Sequence, residues 1–210
     1  MTRLLAIAVA TLYASIAMPA FAAPVDDLQA GIDAAQQNEH DKAIDFYTKA
    51  IKAGLPPRFS AAALANRAAS LTKQGKHDDA IADATEALKL RPDYGLAFFN
   101  RGTAQKMAGR CDKAIPDFAE AIRLDPKDAA AFNNRAGCLI EAAKLDEALA
   151  DYSQAIQVKP QPIYHFNRCR VYDLMKQWPS ALADCKKAAE LDPTLERAKK
   201  LAETLSGRTN

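Results

Sequence analysis

The side chains of this 210-residue chain that could do chemistry are few and widely separated. Its three histidines are His40, His77 and His165. The first two hold equivalent places in an internal repeat, so a whole helix pair would separate them and no shared metal site is expected. No Ser/His/Asp arrangement, glycine-rich phosphate loop or paired-carboxylate site stands out. The sequence therefore predicts a protein that is not an enzyme and needs no cofactor or metal.

Four cysteines are the other reactive groups, at Cys111, Cys138, Cys169 and Cys185. In an exported protein they would suggest disulfides, and four cysteines allow three pairings. The alternative is that Cys138, Cys169 and Cys185 are free thiols that fill small core positions.

Residues 1–22 have the features of a secretory signal peptide. Arg3 precedes an apolar run over residues 4–18, and Ala20-Phe21-Ala22 supplies a small-x-small cleavage pattern. We expect cleavage after Ala22, with Ala23 as the second choice, and a periplasmic or secreted protein. A retained membrane anchor is the alternative, although this run is shorter than the ~20 residues of a usual span.

The charge of the mature chain limits its partners. Without Arg3, one of 28 basic residues, 27 basic residues stand against 26 acidic ones. Nucleic-acid binding needs a concentrated basic face, and a polybasic membrane anchor needs clustered cations. Neither is expected, and the absence of a second long apolar run predicts no transmembrane segment in the mature chain.

An internal repeat runs through the mature chain. Alanines recur at steps of 37, 34, 34 and 33 residues: Ala43, Ala80, Ala114, Ala148 and Ala181. A second alanine column, an Asn-Arg pair and a proline column keep a similar spacing. Apolar residues inside a repeat follow helical spacing. A lone helix pair could not bury its apolar stripe, so the pairs must stack.

This pattern resembles the tetratricopeptide repeat family. Alanine–aromatic pairs with a proline or near-proline downstream carry the resemblance: Ala43-Tyr47, Ala114-Phe118 and Ala148-Tyr152. The resemblance covers residues 24–193 and implies an all-α fold, a right-handed superhelical solenoid of about five tetratricopeptide helix-turn-helix repeats plus a C-terminal capping helix. The expected repeats are about 24–57, 61–94, 95–128, 129–161 and 162–194, and the capping helix is expected at 194–206.

That fold selects one cysteine pairing. Cys111 would open the second helix of one repeat, against the first helix of the next repeat, which contains Cys138. Cys169 and Cys185 would lie on the two helices of the last repeat. The expected disulfides are therefore Cys111–Cys138 and Cys169–Cys185. Packed helix axes lie ~8–10 Å apart while a disulfide needs Cα atoms within ~7 Å, so the geometry is demanding.

The arginine of each Asn-Arg pair has a companion aspartate in the second helix. Both are missing together in the first repeat, where Ala30 and Phe46 stand. This joint loss predicts pairing within a repeat, and a structural role rather than a catalytic one. The expected structural ion pairs are Arg67–Asp83, Arg101–Asp117, Arg135–Asp151 and Arg168–Asp184.

In the tetratricopeptide family, first helices line a concave surface that usually holds a peptide. Carried over by position, that surface offers asparagines that can donate to and accept from a peptide backbone: Asn66, Asn100, Asn134 and Asn167. Beside them stand Leu96, Phe99, Lys106, Asn133, Phe166 and Arg170. The alternative is that the asparagines brace neighbouring helices.

The sequence therefore predicts a non-enzymatic protein–protein interaction scaffold. It would bind an extended protein segment in its concave groove, outside the cytoplasm. The alternative function is a self-associating structural component of an envelope assembly, which leaves a homo-oligomer open.

Overall fold

The structure is a computed structural model that describes residues 22–209. All of the predicted signal peptide except Ala22 therefore lies outside the described residues. Within residues 22–209 the chain forms helices and short turns with no strand, which confirms the all-α fold class. The chain divides into two compact units, the N-terminal unit Met1–Ala108 and the C-terminal unit Gly109–Asn210.

In the N-terminal unit, helices follow one another as antiparallel neighbours joined by short turns. Its described helices are α1 (Ala22–Gln36), α2 (His40–Lys52), α3 (Pro57–Lys73), α4 (His77–Leu90) and α5 (Gly95–Met107). In the C-terminal unit the described helices are α6 (Cys111–Leu124), α7 (Ala129–Glu141), α8 (Leu145–Val158), α9 (Pro162–Leu174), α10 (Trp178–Leu191) and α11 (Glu196–Thr209).

Local sequence explains where several helices begin. Pro57 and Pro162 are the first residues of α3 and α9, a position where proline loses no helical hydrogen bond. The Asp128 carboxylate caps α7, accepting hydrogen bonds from the backbone N–H groups of Ala130 at 2.9 Å and Ala131 at 3.1 Å. These groups would otherwise lack a partner at the helix start.

The turn inside a helix pair uses a left-handed backbone at one repeat position. Asn38 and Gly75 hold this place in the N-terminal unit, and Ala143 and Lys176 hold it in the C-terminal unit, with φ between 58° and 76°. Glycine adopts this conformation freely, whereas a residue with a Cβ loses roughly 1 kcal/mol. The turns at Ala143 and Lys176 are therefore stabilised by the helices that they join.

Small side chains allow the helices of a pair to pack closely. The repeated alanines are fully buried at 0% exposure: Ala43, Ala80, Ala114, Ala148 and Ala181. In α1, Gly31 packs against the ring of Tyr47, which is itself 0% exposed. A Cβ added at Gly31 would lie 2.6 Å from two ring carbons of Tyr47. The first helix pair therefore depends on glycine at this crossing.

The last helix covers the end of the C-terminal unit. Ala198, Ala202 and Leu205 of α11 are buried in one cluster with Phe166 of α9 and with Cys185 of α10. The other face of α11 is exposed and mostly charged. α11 thus shields apolar surface that α9 and α10 would otherwise expose to water.

We expect Gly31→Ala to destabilise the N-terminal unit by about 1–3 kcal/mol, because the rigid Tyr47 ring must move to admit the methyl group. Thermal and urea denaturation followed by circular dichroism measure this change. Gly207→Ala is the matched control, since a Cβ there meets no atom within 4 Å. It should be neutral or stabilising by up to about 1 kcal/mol. Equal stability of the two variants would contradict the close packing at Gly31.

Candidate protein-binding surface

Bidentate ion pairs join the two helices of a repeat. Arg67 donates to the Asp83 carboxylate at 2.6 and 2.8 Å. Arg135 donates to Asp151 at 2.7 and 2.6 Å. Arg168 donates to Asp184 at 2.6 and 2.9 Å. Each arginine side chain is 20–24% exposed and each aspartate 6–13%, so the structure brings these predicted partners together in a largely dry environment.

The remaining predicted pair, Arg101 and Asp117, has one partner in each unit. Within the N-terminal unit, the Arg101 guanidinium lies 5.6 Å from the centre of the Phe98 ring and donates to the Thr85 hydroxyl at 3.4 Å. The pairing of Arg101 with Asp117 stays a prediction.

Some of these arginines also reach the preceding repeat through a hydroxyl group. Arg67 Nη1 donates to Thr48 Oγ1 at 2.9 Å, and Arg168 Nη1 donates to Ser153 Oγ at 2.9 Å. Thr48, Thr85 and Ser153 share one repeat position, where Ala119 stands in the third repeat. Sequence reasoning missed this column, although a hydroxyl recurring at the alanine spacing was its visible signal. Arg67 and Arg168 therefore connect successive helix pairs as well as the two helices of their own pair.

Hydrogen bonding to aspartate raises the pKa of the Arg135 and Arg168 guanidinium groups above its ordinary value. Arg168 and His165 share Asp184. The Asp184 oxygen that accepts a hydrogen bond from Arg168 also lies 3.0 Å from His165 Nδ1. His165 is 8% exposed, in a position that suits packing rather than ligand contact.

We expect Asp151→Ala to cost about 2 kcal/mol of unfolding free energy, because it leaves the half-buried Arg135 without its carboxylate. Urea denaturation measures this cost. Asp146→Ala, at an exposed position in the first turn of the same helix, is the control and should cost less than ~1 kcal/mol. Replacing both partners (Arg135→Met with Asp151→Leu) should restore most of the loss. If Asp151→Ala costs no more than Asp146→Ala, the pair has no structural role.

The structure places both predicted cysteine pairs at disulfide distance. The Cα atoms lie 5.0 Å apart for Cys111 and Cys138, and 5.4 Å apart for Cys169 and Cys185. All four cysteines lie in the C-terminal unit, and their exposure is 0–8%. The first bridge joins α6 to α7 and the second joins α9 to α10. Both Cα–Cα distances lie within the range that a disulfide requires, so the two predicted bridges are geometrically feasible.

We expect the oxidised protein to show no titratable thiol when it is unfolded without reductant. Cys169→Ala with Cys185→Ala should destabilise the C-terminal unit by about 2–4 kcal/mol, because the unfolded chain gains conformational freedom. Hydrogen exchange should accelerate in α9 and α10, and it should stay unchanged in α3 and α4 as the internal control. Four titratable thiols in the untreated protein would contradict both bridges.

The asparagines of the first helices do not share one environment. Asn100 is 6% exposed, and its amide donates to the backbone carbonyl of Ala65 at 2.7 Å. The prediction that Asn100 binds a peptide is therefore corrected. Asn100 instead braces α5 against α3, as in the alternative stated for the asparagines, because its amide is used inside the fold. Asn167 donates to Asn133 Oδ1 at 3.0 Å, which links α9 to α7 while both side chains stay partly exposed. Asn66 and Asn134 are partly exposed as well.

The apolar side chains predicted for the same surface also differ. Phe166 is 6% exposed and packs in the cluster that α11 covers. It is therefore not an exposed anchor, because it packs against α11. Leu96 packs at the margin of the core around Leu64 and Tyr94. Phe99 is partly exposed.

Two exposed apolar residues were missed from the sequence. Met107 and Leu174 are 59% and 58% exposed, more than any other large apolar side chain within residues 22–209. They are the last residues of α5 and α9 and hold the same repeat position. Their spacing of 67 residues, two repeats, was the signal that could have revealed them. Each places an apolar side chain at the water-exposed end of a first helix.

The predicted basic residues of the first helices remain accessible. Lys106 is partly exposed and Arg170 is exposed. Burial raises the pKa of the Tyr152 hydroxyl to about 12, although the nearby charge of Arg170 lowers it.

Among the described residues no group of three or more His, Cys, Asp or Glu side chains could hold a metal ion. Across residues 22–209, every helix is too short or too polar to cross a membrane.

Comparison with known proteins identifies the family to which this chain belongs. A family model described as tetratricopeptide repeat matches residues 28–95, 66–129 and 99–162. The chain therefore belongs to the tetratricopeptide repeat family, whose members are generally non-enzymatic scaffolds that bind protein or peptide partners. No curated protein matches the chain.

Solved structures share the fold at low sequence identity. The tetratricopeptide protein TTC0263 of Thermus thermophilus has a TM-score of 0.67 and 20% identity over 87% of this chain and 98% of its own. YrrB, described as a tetratricopeptide protein with an unusual peptide-binding site, has a TM-score of 0.68 and 21% identity over 86% of this chain and 92% of its own. MamA 41-end from Desulfovibrio magneticus RS-1 has a TM-score of 0.71 and 16% identity over 83% of this chain and 97% of its own.

Proposed function

We propose that this protein is a non-enzymatic scaffold that binds an extended protein segment along its first helices, in a concave groove. The observation that carries the proposal is the pair of exposed apolar side chains, Met107 and Leu174, at one repeat position of α5 and α9. An apolar side chain held at the surface of a rigid helix is a suitable anchor for a partner. Each unit offers one such side chain, Met107 in the N-terminal unit and Leu174 in the C-terminal unit.

Hydrogen-bonding groups on the first helices of the C-terminal unit support a peptide as the ligand. The Asn133–Asn167 contact uses one oxygen of Asn133 and one N–H of Asn167. The Asn133 amide nitrogen can still donate to a peptide carbonyl, and the Asn167 oxygen can still accept from a peptide N–H. An extended backbone carries both groups at every residue, so the amide pair can bind it without selecting a side chain. The peptide-binding site described for YrrB, which has the same fold, is a precedent for this use.

We expect Met107→Ala with Leu174→Ala to weaken partner capture about tenfold, because two apolar contacts are lost. The immobilised mature chain is incubated with the envelope fraction of its source organism, and captured proteins are quantified by mass spectrometry. The matched control is Leu90→Ala with Leu191→Ala, which truncates exposed apolar residues (39% and 41%) on second helices. Capture that falls equally in both variants, or in neither, would contradict binding along the first helices.

We further propose that the protein acts outside the cytoplasm, in the periplasm or as a secreted protein. The signal-like residues 1–22 support this location, as do cysteine pairs at disulfide distance, because disulfides persist in oxidising compartments.

We expect residues 1–30 to export an alkaline phosphatase reporter, which becomes active only where its own disulfides form. The mature protein should begin at Ala23, as N-terminal mass spectrometry would show. A reporter fused to residues 24–53 is the control and should stay inactive. Recovery of the intact chain with Met1, in the cytoplasm or in the membrane, would contradict cleavage and release.

A further inference from the structure

Two contacts hold α9 and α11 side by side in the C-terminal unit. Near the start of both helices, the Arg197 guanidinium lies 5.0 Å from the centre of the Phe166 ring. Near their ends, Arg208 Nη1 lies 3.0 Å from Asp173 Oδ1. Phe166 and Asp173 are about two turns apart on one face of α9, and Arg197 and Arg208 are about three turns apart on one face of α11. The surface of α9, the first helix of the last repeat, therefore continues onto α11.

Two further cations lie between these contacts. Arg170 follows Phe166 by one turn and precedes Asp173 by one turn, and Lys200 follows Arg197 by one turn. Both side chains are exposed. Neither charged group forms an ion pair with any residue of the described range 22–209. Arg170 and Lys200 thus have no ion-pair partner within the described residues, on a surface whose two helices are in contact at both ends.

The acidic residues nearby neutralise this surface only in part. Asp173 already pairs with Arg208, and Glu196 pairs with Lys199 at 2.9 Å. Glu196 precedes Lys200 by four residues and Glu203 follows it by three, so both lie within about 40–60° of Lys200 around α11. Neither forms an ion pair with Lys200 within residues 22–209. Glu141, on the neighbouring first helix α7, forms no ion pair with Arg170 within the described chain. We name the four cations Arg170, Arg197, Lys200 and Arg208 the basic stretch. With the neighbouring Lys199 they make five cations, against three carboxylates on the same two helices: Asp173, Glu196 and Glu203.

An apolar side chain borders the basic stretch. Leu174 follows Arg170 by one turn of α9 and is 58% exposed. A partner that fits this surface must offer carboxylates opposite Arg170 and Lys200, and an apolar side chain beside Leu174. Exposed ion pairs contribute little affinity individually, but several of one sign steer an oppositely charged partner and disfavour a basic one.

We propose that the basic stretch docks an acidic portion of the partner segment, in which aspartate or glutamate side chains pair with Arg170 and Lys200. This inference rests on the proposed binding of an extended segment and names its chemistry at one end of the groove. Binding should weaken with added salt, because exposed charges are screened over about 10 Å at 0.1 M ionic strength.

The test uses the oxidised mature chain, residues 23–210, and a phage-displayed library of random twelve-residue peptides fused at their C-termini. The library is selected on the unmodified protein. The selected peptides are synthesised with amidated C-termini, and their affinities are measured by fluorescence anisotropy. The charge-reversed variant is Arg170→Glu with Lys200→Glu. The control is Lys159→Glu with Lys186→Glu, which makes the same net change at exposed positions outside α9 and α11.

The selected peptides should be enriched in aspartate and glutamate. They should bind the charge-reversed variant about tenfold more weakly and the control variant within twofold of the unmodified protein. All variants should keep the same circular dichroism spectrum and melting temperature. Library selection on the charge-reversed variant should enrich lysine and arginine instead.

Other outcomes would overturn the inference. Selected peptides that lack acidic residues, or that bind the charge-reversed variant equally well, would leave the groove function intact and remove the acidic partner. Binding that appears only when a peptide has a free C-terminal carboxylate would mean that the basic stretch recognises a chain end and not acidic side chains. Self-association of the unmodified protein in light scattering, abolished in the charge-reversed variant, would make a second copy the occupant. Failure to select any peptide would count against the proposed function itself.

Discussion

The close approach of two helices within a pair is the constraint on which the rest of this structure depends. It requires a side chain no larger than a methyl group at the crossing, as at Ala148 and Ala181, and none at all at Gly31. Only at such separations can Cα atoms on facing helices come within 5.4 Å, as they do at Cys169 and Cys185. The same closeness brings arginine and aspartate into bidentate contact, so the alanine column sets the geometry of both interactions.

The charged pairs specify geometry more than they supply net stability. The free-energy cost of removing a guanidinium and a carboxylate from water offsets much of the favourable energy of their attraction. What they add is direction, because the planar guanidinium fixes two parallel hydrogen bonds and still has a third nitrogen to offer. Arg67 and Arg168 use that nitrogen on Thr48 and Ser153 of the preceding repeat. Each such arginine thereby sets the position of one helix pair relative to the preceding pair. It also sets the spacing between the first helices that would contact a partner.

The parts of the structure that repeat could be predicted from the sequence, and the parts that depend on the chain ends could not. The pairing of Arg135 with Asp151 followed from columns that share one spacing, because equivalent residues meet equivalent neighbours. The pairing of Cys169 with Cys185 followed from the helix-pair fold that the family resemblance implies. Phe166 was misjudged because α11, which follows the last repeat, covers it. Asn100 was misjudged because a column position does not reveal whether an amide faces water or the Ala65 carbonyl. Side-chain exposure depends on neighbours in three dimensions, which a single sequence does not show.

All four cysteines lie in the C-terminal unit, and the N-terminal unit has none. In a chain that crosses a membrane with its N-terminus first, the early-arriving half can complete its fold without any oxidant. The later half would need a thiol oxidant before disulfides could join its helices. The thiol–disulfide balance of the destination compartment would then control how much of the scaffold is finished, and a half-finished molecule would carry an intact first half. For the exported protein proposed above, the location of the cysteines would make maturation directional along the chain.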